Sequence, residues 1–206
     1  MNGTDALPRS DLEIIAHWIA PGSRVLDLGC GDGSLLLHLA RTRAVTGYGL
    51  EADDAYISVC IARGLNVIQC DLNRGLSDFD DNSFDYVVLS LTLPGVEDPA
   101  RLLGEMLRVG RQGIVSFPNL GHWRARLRLG LGGRMPAIPG LTDAWHEAPN
   151  RHLCTQKDFE QLCRERNIHV LERRAVDRRH RTNFGLQQWP NLLGEIALYR
   201  FTRIVP

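Results

Sequence analysis

The segment Val25-Leu-Asp-Leu-Gly-Cys-Gly-Asp-Gly33 constrains this chain more than any other. A short apolar run from Arg24 to Leu28 ends in glycines at every second position, and a leucine-rich stretch from Ser34 to Ala40 follows at once. A short apolar run bounded by glycine reads as a buried strand, and the leucine-rich stretch reads as a helix. Glycines between them let the backbone turn tightly and come close to a ligand, because no Cβ stands in the way. The helix start adds unpaired amides. The same punctuation continues downstream. Strands are expected at Val45–Leu50, Asn66–Cys70, Phe84–Ser90 and Gly113–Phe117, with a helix over Asp53–Arg63 stopped by Gly64. Asp98-Pro99 caps a helix through Leu102, Leu103, Met106 and Leu107, with the aspartate as N-cap and the proline in the first turn. Thr155 opens another through Phe159, Leu162 and Cys163, and late strands follow at Ile168–Val176 and Glu195–Arg203. Upstream, Ser10-Asp-Leu-Glu13 has the form of a capping box for a helix through Ile14, Ile15 and Trp18, stopped at Pro21-Gly22.

Strands alternating with helices need right-handed crossovers, which give a parallel sheet covered on both faces. The two late strands, separated by a loop, can pair as a hairpin. The expected fold is therefore α/β and Rossmann-like, a mostly parallel seven-stranded sheet with one antiparallel strand. A length of 206 residues with 44% hydrophobic side chains suits one domain. Residues 121–150 are the least regular, with Gly130, Gly132-Gly133, Pro136, Pro139-Gly140 and Pro149. They read as an insertion of the kind that sits where ligands bind.

Charge and cysteine usage narrow the function classes. The net charge is zero, which gives no global sign of nucleic-acid or membrane binding. The distribution is uneven: residues 1–120 carry 9 basic and 16 acidic side chains, a balance of −7, and residues 121–206 carry 15 and 8, a balance of +7. Cys30, Cys60, Cys70, Cys154 and Cys163 show no C-x-x-C pair, so neither a zinc site nor a disulfide framework is indicated. An odd count of plain thiols fits a reducing compartment. With no basic-then-apolar leader and no long apolar run, a cytoplasmic protein is expected.

Acidic residues then sharpen the reading of the glycine loop. Dinucleotide sites use G-x-G-x-x-G, whereas this loop is G-x-G-x-G and is preceded by Asp27. A carboxylate beside the loop repels a pyrophosphate and suits the amine and sulfonium of S-adenosylmethionine. Glu51 ends the second strand, where a carboxylate can accept both ribose hydroxyls. Asp71 follows the third strand, placed to accept from an adenine amine, with Leu72 flanking the ring.

These residues resemble class I S-adenosylmethionine-dependent methyltransferases. The resemblance narrows with Asp71-Leu-Asn-Arg-Gly-Leu76, Asp81-Asn-Ser-Phe-Asp-Tyr-Val-Val88, Glu105-Met-Leu-Arg-Val-Gly110, Val115-Ser-Phe-Pro-Asn119 with Gly121-His-Trp-Arg124, Gly133-Arg-Met-Pro136 and Pro149-Asn-Arg-His-Leu-Cys-Thr155. Together these are similar to the MetW family of methionine biosynthesis proteins, over roughly Leu12 to Arg203. The chain departs from the family after the fourth strand, where Ser90-Leu-Thr-Leu-Pro94 stands in place of Ser-Gln-Thr-Leu-Gln. The resemblance implies that Asp27, Gly29, Cys30, Gly31, Gly33, Glu51, Asp71, Leu72 and Ser90 bind S-adenosylmethionine or S-adenosylhomocysteine. It implies homoserine O-acyltransferase as a partner, while charge, apolar runs and cysteine spacing lead to no expectation of nucleic acid, membrane or metal. Two roles follow: a partner or regulatory subunit that binds the pathway's downstream product, or a methyltransferase acting on a small molecule.

Methyl transfer needs an oriented acceptor more than acid–base machinery, since the sulfonium is already activated. Asn119, just past the fifth strand, can orient a substrate amine or carboxylate, or simply form a turn. His122 and Trp123 can cover the pocket, with His122 a base near neutral pH or a packing residue. His152 is similar. Arg124, Arg126 and Arg128 read as surface charges or partner contacts; Arg173, Arg174, Arg178, Arg179, His180 and Arg181 form a basic run that could grip a nucleic-acid backbone but, with no interleaved aromatics, reads as a solvated edge or protein interface. No G-x-S-x-G is present, so acyl transfer is assigned to a partner.

Overall fold

A computed structural model describes residues 10–136, 152–177 and 184–204 of the chain. The elements run α1 (Ser10–Trp18), β1 (Arg24–Leu28), α2 (Ser34–Arg43), β2 (Thr46–Glu51), α3 (Asp54–Ala62), β3 (Val67–Gln69), β4 (Phe84–Ser90), α4 (Pro99–Val109), β5 (Gly110–Pro118), α5 (Trp123–Gly130), α6 (Gln156–Glu165), β6 (Ile168–Val176), α7 (Phe184–Gln188), α8 (Pro190–Leu193) and β7 (Ile196–Arg203). One seven-stranded sheet has the order β3-β2-β1-β4-β5-β7-β6. Strands β1 to β5 pair in parallel. Strand β7 is antiparallel to both its neighbours, so it is the single reversed strand of the expected mostly parallel sheet.

Period-2 alternation divides the core between the two faces of the sheet. Val25, Tyr86, Val88, Ile114 and Leu198 face one layer, packed with Ile15 and Ile19 and with Leu35, Leu36 and Leu39 of α2. Leu26, Leu28, Val87, Leu89, Val115 and Tyr199 face the other, packed with Leu102, Leu103, Met106 and Leu107 of α4 and Phe159 and Cys163 of α6. Each of these buried side chains contributes about 2 kcal/mol. Caps fix where the helices begin. Asp98 accepts from the amide of Arg101 at 2.9 Å with Pro99 in the first turn, and Thr155 forms a capping box with Asp158. The side chain of Ser10 lies outside the described residues.

Two expectations are corrected. Residues 121–150 do not open irregularly: Trp123–Gly130 is helical, and residues 137–151 lie outside the described part. The apolar positions Trp123 and Leu127 carry the helical spacing, but arginines at every second position hide it. The link between β6 and β7 is not a plain loop, because it carries α7 and α8. Arg178, Arg179, His180 and Arg181 lie outside the described residues. The placement of β7 inside the sheet has a packing cause. Tyr199 is fully buried between Phe117, with ring planes 2° apart, and Phe159, at 4.6 Å between centroids. Burial pushes the Tyr199 phenol well above its ordinary range, and its hydroxyl donates to Glu160 at 3.0 Å.

Candidate functional site

The carboxyl ends of β1, β2, β3 and β4 are neighbours in the sheet, and this brings the expected site residues together. In open α/β sheets ligands bind beyond these ends. Asp27 lies in β1, 3% exposed and in register with Gly49 of β2 and Val88 of β4. Gly29, Gly31 and Gly33 all have left-handed backbone angles, with φ of 67°, 55° and 72°. Gly29 and Gly33 leave no room for a Cβ, and Gly31 stands open. A Cβ on Gly33 would strike the Leu65 side chain, whereas one on Gly31 would meet nothing within 4 Å. Gly31 therefore presents a bare backbone to open space beside the strand ends.

The loop is held from behind by β2. The amides of Gly29 and Cys30 both donate to the carbonyl of Leu50, at 2.8 and 3.0 Å. Glu51 finishes the clamp. Its Oε2 accepts from the amide of Gly31 at 2.8 Å, and its Oε1 accepts from those of Ala52 and Asp53 at 2.9 and 3.1 Å. Two carboxylate oxygens offer about four acceptor positions, so these three bonds leave room for a further donor. Asp71 caps the 3-10 turn Leu72–Arg74 by accepting from Asn73 at 3.0 Å through Oδ1. It is exposed, and its other oxygen takes no donor among the described residues. Leu72 packs against the core below it.

Helix α3 supplies partners that sequence reading did not identify. The thiol of Cys60 donates to the Gly31 carbonyl at 3.2 Å, and Cys30 sits 3.8 Å from the same oxygen. Burial, with Asp27 nearby, pushes the Cys30 thiol far up, so it stays neutral in the loop. Arg63 donates to the Asp32 carbonyl at 2.6 Å and to its carboxylate at 2.9 Å. Burial opposes ionisation of Asp32, but bonds from Ser34 and Arg63 outweigh it and hold the carboxyl below its usual range. Cys60 and Arg63 lie about thirty residues from the loop, and only the packing of α3 brings them there.

The β4 end carries local strain. Ser90 Oγ lies 3.1 Å from Ser116 Oγ, and Thr92 stands against Gly29. Between them Leu91 has φ of 57°, an uncommon backbone for a bulky L residue. Its amide is held by Ser116, through the carbonyl at 2.9 Å and the hydroxyl at 3.2 Å. Positions of this kind persist only where the surroundings over-determine them.

Past β5, Asn119 is committed to the chain itself. Its Nδ2 donates to the carbonyls of Asn191 at 3.0 Å and Gly194 at 2.8 Å. Its Oδ1 accepts from Gly121 at 2.9 Å and Gln156 at 3.3 Å. Two donors and two lone pairs are all used, so the amide ties the end of β5 to α6 and α8 and has no capacity left for a substrate. His122 is 8% exposed, with Nε2 3.9 Å from Glu195 Oε1. The exposed Trp123 lies under Arg124 at 5.2 Å. The His152 ring bonds the Glu97 carbonyl at 2.9 Å, joining residue 152 to the loop that follows β4. Among the described residues no cluster of side chains has the composition of a metal site, and no helix is long and apolar enough to cross a membrane.

Comparison with known proteins sets this geometry in context. Among solved structures, an S-adenosylmethionine-dependent methyltransferase from Mesorhizobium loti aligns over 95% of this chain and 99% of its own, with a TM-score of 0.67 at 18% identity. The [4+2]-cyclase SpnF aligns over 95% and 81%, with a TM-score of 0.66 at 19% identity. The chain thus has the class I methyltransferase fold, and a fold that includes a cyclase does not by itself choose the reaction. A ubiquinone biosynthesis O-methyltransferase from Hahella chejuensis is 36% identical over 102 residues, 47% of this chain and 42% of that protein. The bifunctional methionine biosynthesis protein MetXA/MetW of Rhodopirellula baltica is 38% identical over 202 residues, 94% of this chain. The chain spans about a third of that relative's length, 32%. The family model for methionine biosynthesis protein MetW matches residues 9–201. The chain belongs to the MetW family of methionine biosynthesis proteins.

Proposed function

We propose that this chain binds S-adenosylmethionine at the glycine loop and acts in the cytoplasm as a partner or regulatory subunit of homoserine O-acyltransferase. The observation that carries the partnership is the Rhodopirellula baltica relative, whose name places a MetXA part and a MetW part in one bifunctional protein. Two activities kept in one polypeptide are held at high effective concentration, as expected of parts that work together.

The donor and acceptor set at the strand ends suits the cofactor. Asp27, Glu51 and Asp71 present acceptors, which match an amine, ribose hydroxyls and an adenine amine and mismatch a phosphate. The open backbone of Gly31 leaves space for a ligand to approach. Asp27 and Glu51 would hold the amine and ribose, and Asp71 and Leu72 the base. When bound, the cofactor supplies an activated methyl group. As a product of the methionine pathway it can also report that the pathway is full. A second reading, methyl transfer to a small molecule, draws on the identity with the ubiquinone biosynthesis O-methyltransferase.

Homoserine acylation by purified acyltransferase, with and without this chain and with S-adenosylmethionine titrated in, separates the readings. Activity that depends on the chain supports the partnership, and a response to S-adenosylmethionine supports a sensing pocket. Indifferent activity removes the partnership and turns the search to methyl acceptors.

A further inference from the structure

Helix α5 leaves an apolar face exposed. Its buried side chains are none, although it carries a tryptophan and two leucines. Trp123, Leu127 and Leu131 recur every four residues and so share one face. They are 40%, 47% and 84% exposed. At 100° per residue, Arg124 and Arg128 run along one edge of this stripe and Arg126 along the other. No acidic residue occurs anywhere in 121–142, and Arg128 and Arg134 have no anionic partner among the described residues.

Arg126 also belongs to a cleft of about 330 Å³ beside the helix, formed with Lys157, Arg173 and Trp189. Trp189 is 66% exposed, and Lys157 has no partner among the described residues. The one acid lining the cleft, Glu160, already bonds Arg173 at 2.9 Å and Tyr199 at 3.0 Å. Arg126 belongs to both the stripe's edge and the cleft, and so joins them into one surface on which apolar and aromatic side chains alternate with cationic ones. Tryptophan and arginine are the residues most enriched where binding energy concentrates at protein interfaces.

We infer that this surface docks the acyltransferase, through an apolar ridge on that protein flanked by acidic side chains. The inference rests on the partnership proposed above and locates its contact. Charge complementarity selects the acid. The apolar stripe argues against nucleic acid, since a phosphate backbone would leave Leu127 and Leu131 in water. The concave cleft argues against a membrane, since a flat lipid surface cannot fill it. The surface follows directly after β5, at the same end of the sheet as the glycine loop, so a partner seated there lies beside the proposed cofactor pocket.

The test measures acyltransferase binding to the full chain by surface plasmon resonance at two salt concentrations, for the wild type, Arg124→Glu/Arg128→Glu, Leu131→Asp and Trp189→Ala. Melting temperature and S-adenosylmethionine affinity check that each variant is folded. Leu131 lies past the last helical residue, so its variant keeps the test open if the arginine pair disturbs α5. The expected result is a Kd raised at least tenfold by the charge reversal, with a slower on-rate and a weaker salt dependence. If the wild type binds and the folded variants stay within twofold of it, the surface is wrong and the partnership stands. If the wild type itself fails to bind, both fall. Binding to vesicles of phosphatidylcholine with 20% phosphatidylserine, or to a single-stranded RNA, that the variants abolish while acyltransferase binding is kept also overturns the inference.

Discussion

Replacing Glu51 by glutamine tests how the glycine loop is held and what it binds. The carboxylate stands between two sets of backbone donors, with Oε2 on Gly31 and Oε1 on Ala52 and Asp53. Glutamine keeps the shape and leaves one oxygen. With that oxygen toward Ala52, its amino group meets the N–H of Gly31, donor against donor. Turned the other way, the amides of Ala52 and Asp53 lose their acceptor. A hydrogen bond to a charged group is worth about 1.5–3 kcal/mol, and partial exposure of Glu51 favours the lower end, about 1.5–2 kcal/mol. For a chain of this size that is roughly 3–8 °C in melting temperature. Loss of an acceptor for a ribose hydroxyl, together with a displaced Gly31, should raise the S-adenosylmethionine Kd at least tenfold, about 1.4 kcal/mol. Scanning calorimetry reads the first quantity and titration calorimetry the second. A melting temperature within about 1 °C of wild type would refute the clamp. A lower melting temperature with unchanged affinity would refute the ribose assignment and leave Glu51 a structural brace.

Three further outcomes are expected. Asn119→Ala removes the side-chain partner of the Asn191 and Gly194 carbonyls and of the Gly121 amide, while the Gln156 amide keeps Asn191 Oδ1 at 3.2 Å, so it should cost about 3 kcal/mol and lower the melting temperature by roughly 6–12 °C; a change under about 2 °C in scanning fluorimetry would contradict its role as a tie. Ala44 ends α2 exposed and left-handed, with φ of 50°, so Ala44→Gly should stabilise by up to about 1 kcal/mol, and a lower urea midpoint would count against this. Glu105 is held below its usual value near 4.5, chiefly by the Arg108 guanidinium, which also bonds the carbonyls of Leu76 and Phe79. Its contribution is present above that value and is lost as pH falls through the lower value of the folded chain. Glu105→Gln should therefore flatten the acid limb of a stability–pH curve, and an unchanged limb would show that Glu105 does not contribute there.

Much of the geometry of the candidate site was legible because its signals are local. Glycines at positions 29, 31 and 33 after an apolar run define a strand, a turn and a helix without reference to anything distant. Glu51 and Asp71 recur at strand ends, and topology alone makes those ends neighbours once the sheet is parallel. Asp98 and Thr155 act within three residues of themselves, so the sequence by itself determined where α4 and α6 begin. Tertiary structure decided what depends on distant partners. Strand β7 enters between β5 and β6 because Tyr199 fits between Phe117 and Phe159, a contact that no period-2 pattern encodes. Asn119 looks like a turn residue or a ligand-orienting amide until residues 156, 191 and 194 arrive to use all its hydrogen-bonding groups. Cys60 and Arg63 grip the glycine loop only because α3 packs beside it. The arginine-flanked stripe of α5 is coherent only when 100° per residue replaces simple alternation, because a surface is defined by which side chains point the same way in space.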